Sequence, residues 1–135
     1  MKKFIALFVT ALFLFGAGCQ NSGPGNSDKG YKDISHEKLQ SMIEAEEDFL
    51  LVDVREEQEY AEWHIPSAIL FPLGKLKEDP SRLDPQDTIV LVCRSDRRSG
   101  EAASFLVEQG YTSVYNLSGG MLAWPGQVER SERAT

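Results

Sequence analysis

Residues 88–99 read Thr-Ile-Val-Leu-Val-Cys-Arg-Ser-Asp-Arg-Arg-Ser, a strand-like half followed directly by a helix-like half. The first half is a continuous apolar run rich in β-branched residues, as in strands buried on both faces of a parallel sheet. The second half opens a helix that we predict from about Arg98 to Gln109, with Gly110 ending it. Cys93 therefore lies where a buried strand passes into a helix.

Apolar runs alternate with helical stretches on both sides of this segment. Residues 49–54 form a second buried strand of the same kind. Shorter strands are predicted for residues 31–34, 68–71 and 113–116. Further helices are predicted after an N-cap at Ser35, over residues 56–62 and over residues 73–79. This alternation predicts an α/β fold, with a parallel sheet covered by helices on both faces.

The first 18 residues have the features of an export signal. Lys2 and Lys3 precede an uncharged run of about 14 apolar residues, and a bilayer span needs roughly 20. Small residues then precede Cys19, which resembles the lipobox of bacterial lipoproteins, where the cysteine thiol is acylated. Gly16 stands where that family usually has Leu. The alternative is an ordinary secretory signal, with Cys19 incidental.

The remaining chain divides by composition. Residues 19–30, rich in Gly, Ser and Asn, are predicted to be a flexible tether that begins at a lipidated Cys19. Residues 31–126 are enough for one small domain, and residues 127–135 look like a frayed polar tail. The sequence thus predicts an exported domain held at a cell membrane, on its outer or periplasmic side, by a lipid anchor alone.

Acidic residues dominate the charge. The chain has 21 Asp and Glu against 14 Lys and Arg, and removal of Lys2 and Lys3 takes the formal net charge from −7 to −9. Such a surface repels nucleic acid and anionic headgroups, so we expect neither as a partner. No His, Cys or carboxylate cluster has metal-ligand spacing, so no metal or cofactor is expected. A monomer is expected.

Cys93 is predicted to be an unpaired cysteine, because acylation consumes Cys19 and Cys19 lies outside the folded unit. The first amides of a helix have no partner in the chain, so a strand-to-helix turn makes an anion pocket. Three arginines in five residues favour the reactive thiolate, although Asp96 and Glu101 oppose it. The alternative is an inert, buried small residue.

Four segments together resemble the rhodanese family and cover nearly all of the folded unit. They are residues 51–60 with Asp-Val-Arg, 64–68 with His-Ile-Pro-Ser-Ala, 93–99, and 117–124 with Leu-Ser-Gly-Gly-Met-Leu-Ala-Trp. The family has Gly where Ser67 stands. The resemblance implies a five-stranded parallel sheet and a two-step sulfur transfer. Cys93 would take a sulfane sulfur from a donor such as thiosulfate, hold it as a persulfide, and pass it to cyanide or a thiol.

Residues 93–99 resemble the family loop Cys-Arg-x-Gly-x-Arg-Ser/Thr. The resemblance implies that Cys93 is catalytic and that six residues bind the substrate: Arg94, Ser95, Asp96, Arg97, Arg98 and Ser99. Their backbone amides would cradle the terminal sulfur, as an oxyanion hole holds developing charge. Arg94 and Arg98 match the motif arginines, and they would attract anionic donors and brace the loop.

Asp96 replaces the family glycine of this loop. Asp tolerates positive φ better than most residues, so we expect the loop to keep its shape. Its carboxylate is expected to repel thiosulfate. On this hypothesis the donor is less charged or activity is low, and Asp96→Gly gains activity on thiosulfate.

Structural roles are expected for several other polar or aromatic residues. Asp53 and Arg55 are predicted to fix loops at a strand end, His64 to be packed and hydrogen-bonded, and His36 to be solvated. Gly119 and Gly120 are predicted to form a tight turn before a last helix, and Trp124 to join the core.

Two other functions compete with sulfur transfer. A cysteine phosphatase needs Cys, five residues and then Arg, but Ser99 is the residue six beyond Cys93, and Val92 stands where those enzymes usually have His. A persulfide carrier or sulfur-binding module acting with a partner protein is the stronger alternative.

Overall fold

A five-stranded, fully parallel sheet forms the centre of the molecule. The computed structural model describes residues 28–131. The strands are β1 (Lys32–Ile34), β2 (Leu50–Asp53), β3 (Ile69–Leu70), β4 (Ile89–Val92) and β5 (Val114–Leu117). Their order across the sheet is β1-β5-β4-β2-β3. The predicted α/β class and the five-stranded parallel sheet are confirmed.

Within residues 28–131, four helices and one short 3-10 turn connect the strands, and a second 3-10 turn follows β5. The helices are α1 (His36–Glu44), α2 (Glu57–Glu62), α3 (Leu73–Glu78) and α4 (Arg97–Glu108), and the 3-10 turns are Pro80–Arg82 and Met121–Ala123. Four of the predicted helices are present, but the last helix predicted after Gly120 is wrong, because Met121–Ala123 forms only a single 3-10 turn. Ser35 caps α1 as predicted, because its side chain accepts a hydrogen bond from the Lys38 amide.

The two faces of the sheet carry separate apolar clusters. Leu76 of α3 and Leu106 of α4 pack on one face, and Leu39 of α1 packs on the other. Strand β4 is fully buried and supplies both clusters, with Ile89 and Leu91 on the α3–α4 face. Because side chains alternate along a strand, Cys93 continues the row of Ile89 and Leu91 and faces α4. The fold thus fixes the direction of the Cys93 side chain.

The polar segment after residue 126 differs from the frayed tail that we predicted. The backbones of His64 and Glu129 form an antiparallel bridge, with both N–H···O distances at 2.9 Å. The Ser131 amide donates to the carbonyl of Ala61 at 3.1 Å. As far as Ser131, the segment is hydrogen-bonded to the chain around α2, a contact that polar composition alone could not predict.

Several predictions concern residues outside the described range. These are the export signal over residues 1–18, lipidation at Cys19, most of the tether over residues 19–30, and the last four residues of the tail. Among residues 28–131, no helix has the length and apolar character needed to cross a membrane.

Candidate active site

The loop between β4 and α4 is hydrogen-bonded to the segment that follows β5. The carbonyl of Cys93 accepts a hydrogen bond from the Met121 amide at 2.9 Å, and that of Arg94 accepts one from Leu122 at 3.0 Å. Both carbonyls are therefore used in binding the 3-10 turn, and residues 94–97 lie exposed above it.

The backbone N–H groups of residues 94–99 are unpaired within the described part of the chain. The first satisfied amide of α4 is that of Gly100, which donates to the Asp96 carbonyl at 2.9 Å. The N–H groups of a first helical turn point out of the helix end, where they bind anions together with the helix dipole. The backbone amides of residues 94–99, which the resemblance assigns to substrate binding, are therefore free to bind a ligand.

The sulfur of Cys93 is buried beside Ser99 in the first turn of α4. Its Sγ atom is 3.1 Å from Oγ of Ser99, and that hydroxyl also lies 3.4 Å from the Asp96 carbonyl. Ser99 is fully buried, and Cys93 is the free cysteine of the described residues. A hydroxyl so placed can donate to a thiolate, or accept from a thiol while it donates to the carbonyl.

Cys93 is more deeply buried than we expected for a nucleophile in an open anion pocket. Only 1% of the residue is accessible to solvent, whereas Arg94, Ser95, Asp96 and Arg97 are exposed. A reagent therefore has to reach the sulfur through the loop itself. Small, narrow reagents fit such an approach better than bulky ones.

Arg98 is bound by a carboxylate that sequence reasoning did not assign to the site. Its two terminal nitrogens donate to the two oxygens of Glu59 at 2.7 and 2.8 Å. This forked hydrogen bond lowers the pKa of Glu59 to about 2 and raises that of Arg98. Arg98 therefore braces α4 against α2, and Glu59 offsets the positive charge that we expected to attract donors.

Arg94 and Arg97 supply the positive charge that remains available. Both side chains are exposed, and neither forms an ion pair within residues 28–131. Exposed arginines at the rim raise the local concentration of anionic donors without being committed to a fixed contact.

Asp96 does not adopt the left-handed conformation that we considered for it. Its φ and ψ are −130° and −20°, so the loop does not need the conformational freedom of glycine there. Its Oδ1 atom accepts a hydrogen bond from the Gly119 amide at 2.9 Å. The carboxylate is therefore tied to the Gly119–Gly120 turn, a contact across 23 residues that no local pattern indicates.

The Gly119–Gly120 turn approaches the loop too closely for a side chain. A Cβ atom on Gly120 would lie 2.3 Å from the Ser95 carbonyl oxygen and 2.5 Å from that of Cys93. The predicted tight turn is present, with φ of +76° and +53° at its two glycines. Two adjacent glycines after a strand were the sequence signal for this contact.

His36 contacts the same turn, so the prediction that it is solvated is wrong. Its Nε2 atom lies 3.2 Å from the carbonyl oxygen of Gly120, and its ring meets the edge of Trp124. Both side chains are half-buried, so Trp124 lines the core without being enclosed in it. The helix start that carries His36 therefore packs behind the cysteine loop.

The other polar residues that we kept out of the site are structural. Asp53 and Arg55 form a buried ion pair at 2.8 Å, and Arg55 also donates to the Trp63 carbonyl. His64 is buried, with Nδ1 2.8 Å from the Tyr60 carbonyl oxygen and Nε2 3.0 Å from Glu129. None of these contacts involves the cysteine loop. Within residues 28–131 no cluster of His, Cys, Asp or Glu has metal-binding geometry.

Comparison with known proteins agrees with this architecture. The family profile for the rhodanese-like domain matches residues 35–127. YtwF of Bacillus subtilis is 42% identical over 98 residues, covering 73% of this chain and 94% of that protein. The thiosulfate sulfurtransferase GlpE of Coxiella burnetii is 34% identical over 102 residues, covering 76% and 94%. A crystal structure of a Staphylococcus aureus rhodanese-like domain protein matches with a TM-score of 0.69 at 26% identity, covering 75% and 99%. The chain belongs to the rhodanese-like domain family.

Proposed function

We propose that this protein is a sulfurtransferase whose sulfur carrier is Cys93. The observation that carries the proposal is the position of the Cys93 sulfur, beside Ser99 at the start of α4, in a loop whose six backbone amides have no partner among residues 28–131. The similarity to a thiosulfate sulfurtransferase supports the same chemistry.

In the first step the Cys93 thiolate attacks the outer, sulfane sulfur of thiosulfate. An S–S bond forms to Cys93 while the S–S bond of thiosulfate breaks, and sulfite leaves with the electron pair. The product is a Cys93 persulfide whose terminal sulfur carries a negative charge. The unpaired amides of residues 94–99 and the N-terminus of α4 stabilise that charge by hydrogen bonding and by the helix dipole.

In the second step an acceptor nucleophile removes the terminal sulfur. Cyanide gives thiocyanate and a thiolate acceptor gives its persulfide, and both leave the Cys93 thiolate with its original electron pair. Ser99 stabilises this thiolate through its hydroxyl, 3.1 Å from the sulfur. Arg94 and Arg97, exposed at the rim, draw anionic donors toward the loop.

Steady-state transfer from thiosulfate to cyanide tests this function. We expect turnover in the parent and none in Cys93→Ser, which keeps the fold but lacks the sulfur. A Cys93 persulfide that forms on thiosulfate treatment but passes only to a partner protein would favour the carrier function instead. Absence of both persulfide and turnover would contradict the proposal.

We also propose that the protein is exported and attached to a cell membrane through acylated Cys19. The proposal rests on Lys2 and Lys3, the apolar run after them and the small residues before Cys19. Incorporation of a labelled fatty acid that is lost in Cys19→Ala would support it. Secretion in soluble form, without label, would favour the ordinary secretory signal.

A further inference from the structure

We propose that Asp96 is a positioning residue, which latches the cysteine loop to the Gly119–Gly120 turn and keeps its own carboxylate out of the anion pocket. The inference rests on the proposed sulfur transfer and extends it to a residue at which this chain departs from the family motif. It reverses the effect expected of a carboxylate that merely repels the donor.

The first observation is the contact itself. Oδ1 of Asp96 accepts a hydrogen bond from the Gly119 amide at 2.9 Å, and the carbonyls of Cys93 and Arg94 in the same loop accept from Met121 and Leu122. Since those two bonds hold the start of the loop, the Asp96 contact adds a third bond, next to α4. His36 holds the Gly120 carbonyl from the opposite side. The turn is thereby fixed between α1 and the loop.

The second observation is a bond that Asp96 does not make. Asp96 occupies the N-cap position of α4, where an aspartate side chain usually accepts from the second or third amide of the helix. Here the side chain makes no such cap. Had it done so, the carboxylate would occupy amides that the terminal sulfur needs, and its charge would face the persulfide. Binding to Gly119 instead leaves those amides free.

Two substitutions separate the latch from simple charge repulsion. Asp96→Asn keeps an oxygen acceptor for the Gly119 amide and removes the charge, whereas Asp96→Gly removes both. With a latch, we expect kcat/KM for thiosulfate to fall roughly three- to tenfold in Asp96→Gly and to stay near or above the parent value in Asp96→Asn. Repulsion alone predicts that both variants are faster than the parent.

Glu101→Gln is the matched control. Glu101 lines the same surface groove as Asp96, but its carboxylate pairs with Lys77 rather than with the turn. The substitution Glu101→Gln removes one negative charge near the loop but breaks no hydrogen bond to Gly119. We expect its kcat/KM to lie within about twofold of the parent.

Hydrogen exchange of the purified full-length protein provides a readout that does not depend on activity. Residues 119–122 are held by the Asp96 contact and by the two loop carbonyls, so their amides should exchange faster in Asp96→Gly and as in the parent in Asp96→Asn. Absence of sulfur-transfer turnover in the parent would contradict the proposed function. Amide hydrogen exchange would still test whether Asp96 holds the Gly119–Gly120 turn. Unchanged exchange in Asp96→Gly, or turnover equal to or above that of the parent, would overturn the latch.

Discussion

Cys93 and Ser99 form a buried pair in which the Ser99 hydroxyl can hydrogen-bond suitably to either the thiol or the thiolate form of Cys93. The Ser99 oxygen lies within hydrogen-bond range of both the sulfur and the Asp96 carbonyl. When Cys93 is a thiol, the hydroxyl can donate to the carbonyl; when it is a thiolate, the hydroxyl can turn to the sulfur. The sulfur is therefore never left as an unsatisfied charge in a dry site, which would cost several kcal/mol.

Replacement of Ser99 by Ala should slow the formation of the Cys93 persulfide by roughly ten- to a hundredfold, since a hydrogen bond to a charged group contributes about 1.5–3 kcal/mol. The measurement is the rate of persulfide formation with thiosulfate at neutral pH, followed by intact mass. Ser104→Ala, elsewhere on α4, is the control and should match the parent. An equal rate in Ser99→Ala would show that the hydroxyl does not support the thiolate.

Between elements, the contact that holds the site together is the brace from α2 to α4. Glu59 forms the forked bond to Arg98 and also accepts the Glu56 amide in a capping box at the start of α2. One carboxylate thus caps the start of the helix that follows β2 and fixes the helix that follows the cysteine loop. Because the first turn of α4 carries amides that we propose to bind the ligand, this brace would also position the proposed anion pocket.

The brace makes acid stability depend on Glu59. Its pKa falls from 4.5 to about 2 in the folded protein, mainly through the Arg98 hydrogen bonds. The unfolded chain therefore binds the proton first as pH falls, so the stabilisation is complete above pH 4.5 and is lost between pH 4.5 and about 2. Partial solvent exposure reduces the contribution to about 1–2 kcal/mol.

Urea unfolding at pH 6 and pH 3 measures this dependence. Glu59→Gln should be less stable than the parent at pH 6 by about 1–2 kcal/mol, and the difference should shrink at pH 3. Glu57→Gln, on the exposed side of the same helix, is the charge-matched control. A difference between Glu59→Gln and the parent that stays constant with pH would rule out the brace as its source.

The segment between α2 and β3 carries conformational strain at one residue. Ser67 has φ of +69°, in the left-handed region, at the position where the family motif has Gly. A side chain costs about 1 kcal/mol there, while glycine adds entropy to the unfolded chain. Ser67→Gly should therefore raise the free energy of unfolding by roughly 0.5–1 kcal/mol.

Thermal unfolding followed by circular dichroism is sufficient to measure that change. Ser41→Gly, on the exposed side of α1, is the control of opposite sign, because glycine inside a helix costs roughly 0.5–1 kcal/mol. A lower melting temperature for Ser67→Gly would contradict the assignment of strain to that residue.

At the scale of the whole molecule, an acidic chain presents a locally positive loop. The formal net charge is −7, yet Arg94 and Arg97 are exposed beside the cysteine without an ion-pair partner in the described range. The two exposed arginines carry this contrast, because Glu59 offsets the charge of Arg98. Under the proposed function, they would guide an anionic sulfur donor to this end of the sheet.

The sequence alone was sufficient to predict what depends on local pattern. Strand β4 could be predicted because four consecutive apolar residues are buried on both faces, and α4 because an apolar stripe follows the loop and Gly110 ends it. The free amides of the loop follow from the same strand-to-helix junction. That these amides lack a backbone partner among residues 28–131 is a local feature, whereas their role in binding substrate stays a prediction.

The contacts that sequence reasoning missed all join distant parts of the chain. Glu59 and Arg98 are separated by 39 residues, Asp96 and Gly119 by 23, and His36 and Gly120 by 84. Each depends on which strand ends meet at one edge of the sheet, and no periodicity records that.

The most direct test of the central claim is the intact mass of the full-length protein after brief treatment with thiosulfate and removal of excess donor. We expect the addition of one sulfur atom, which peptide mapping locates on Cys93. This sulfur should be lost on addition of cyanide and should not appear in Cys93→Ser. An unchanged mass, or a sulfur found on another residue, would contradict it.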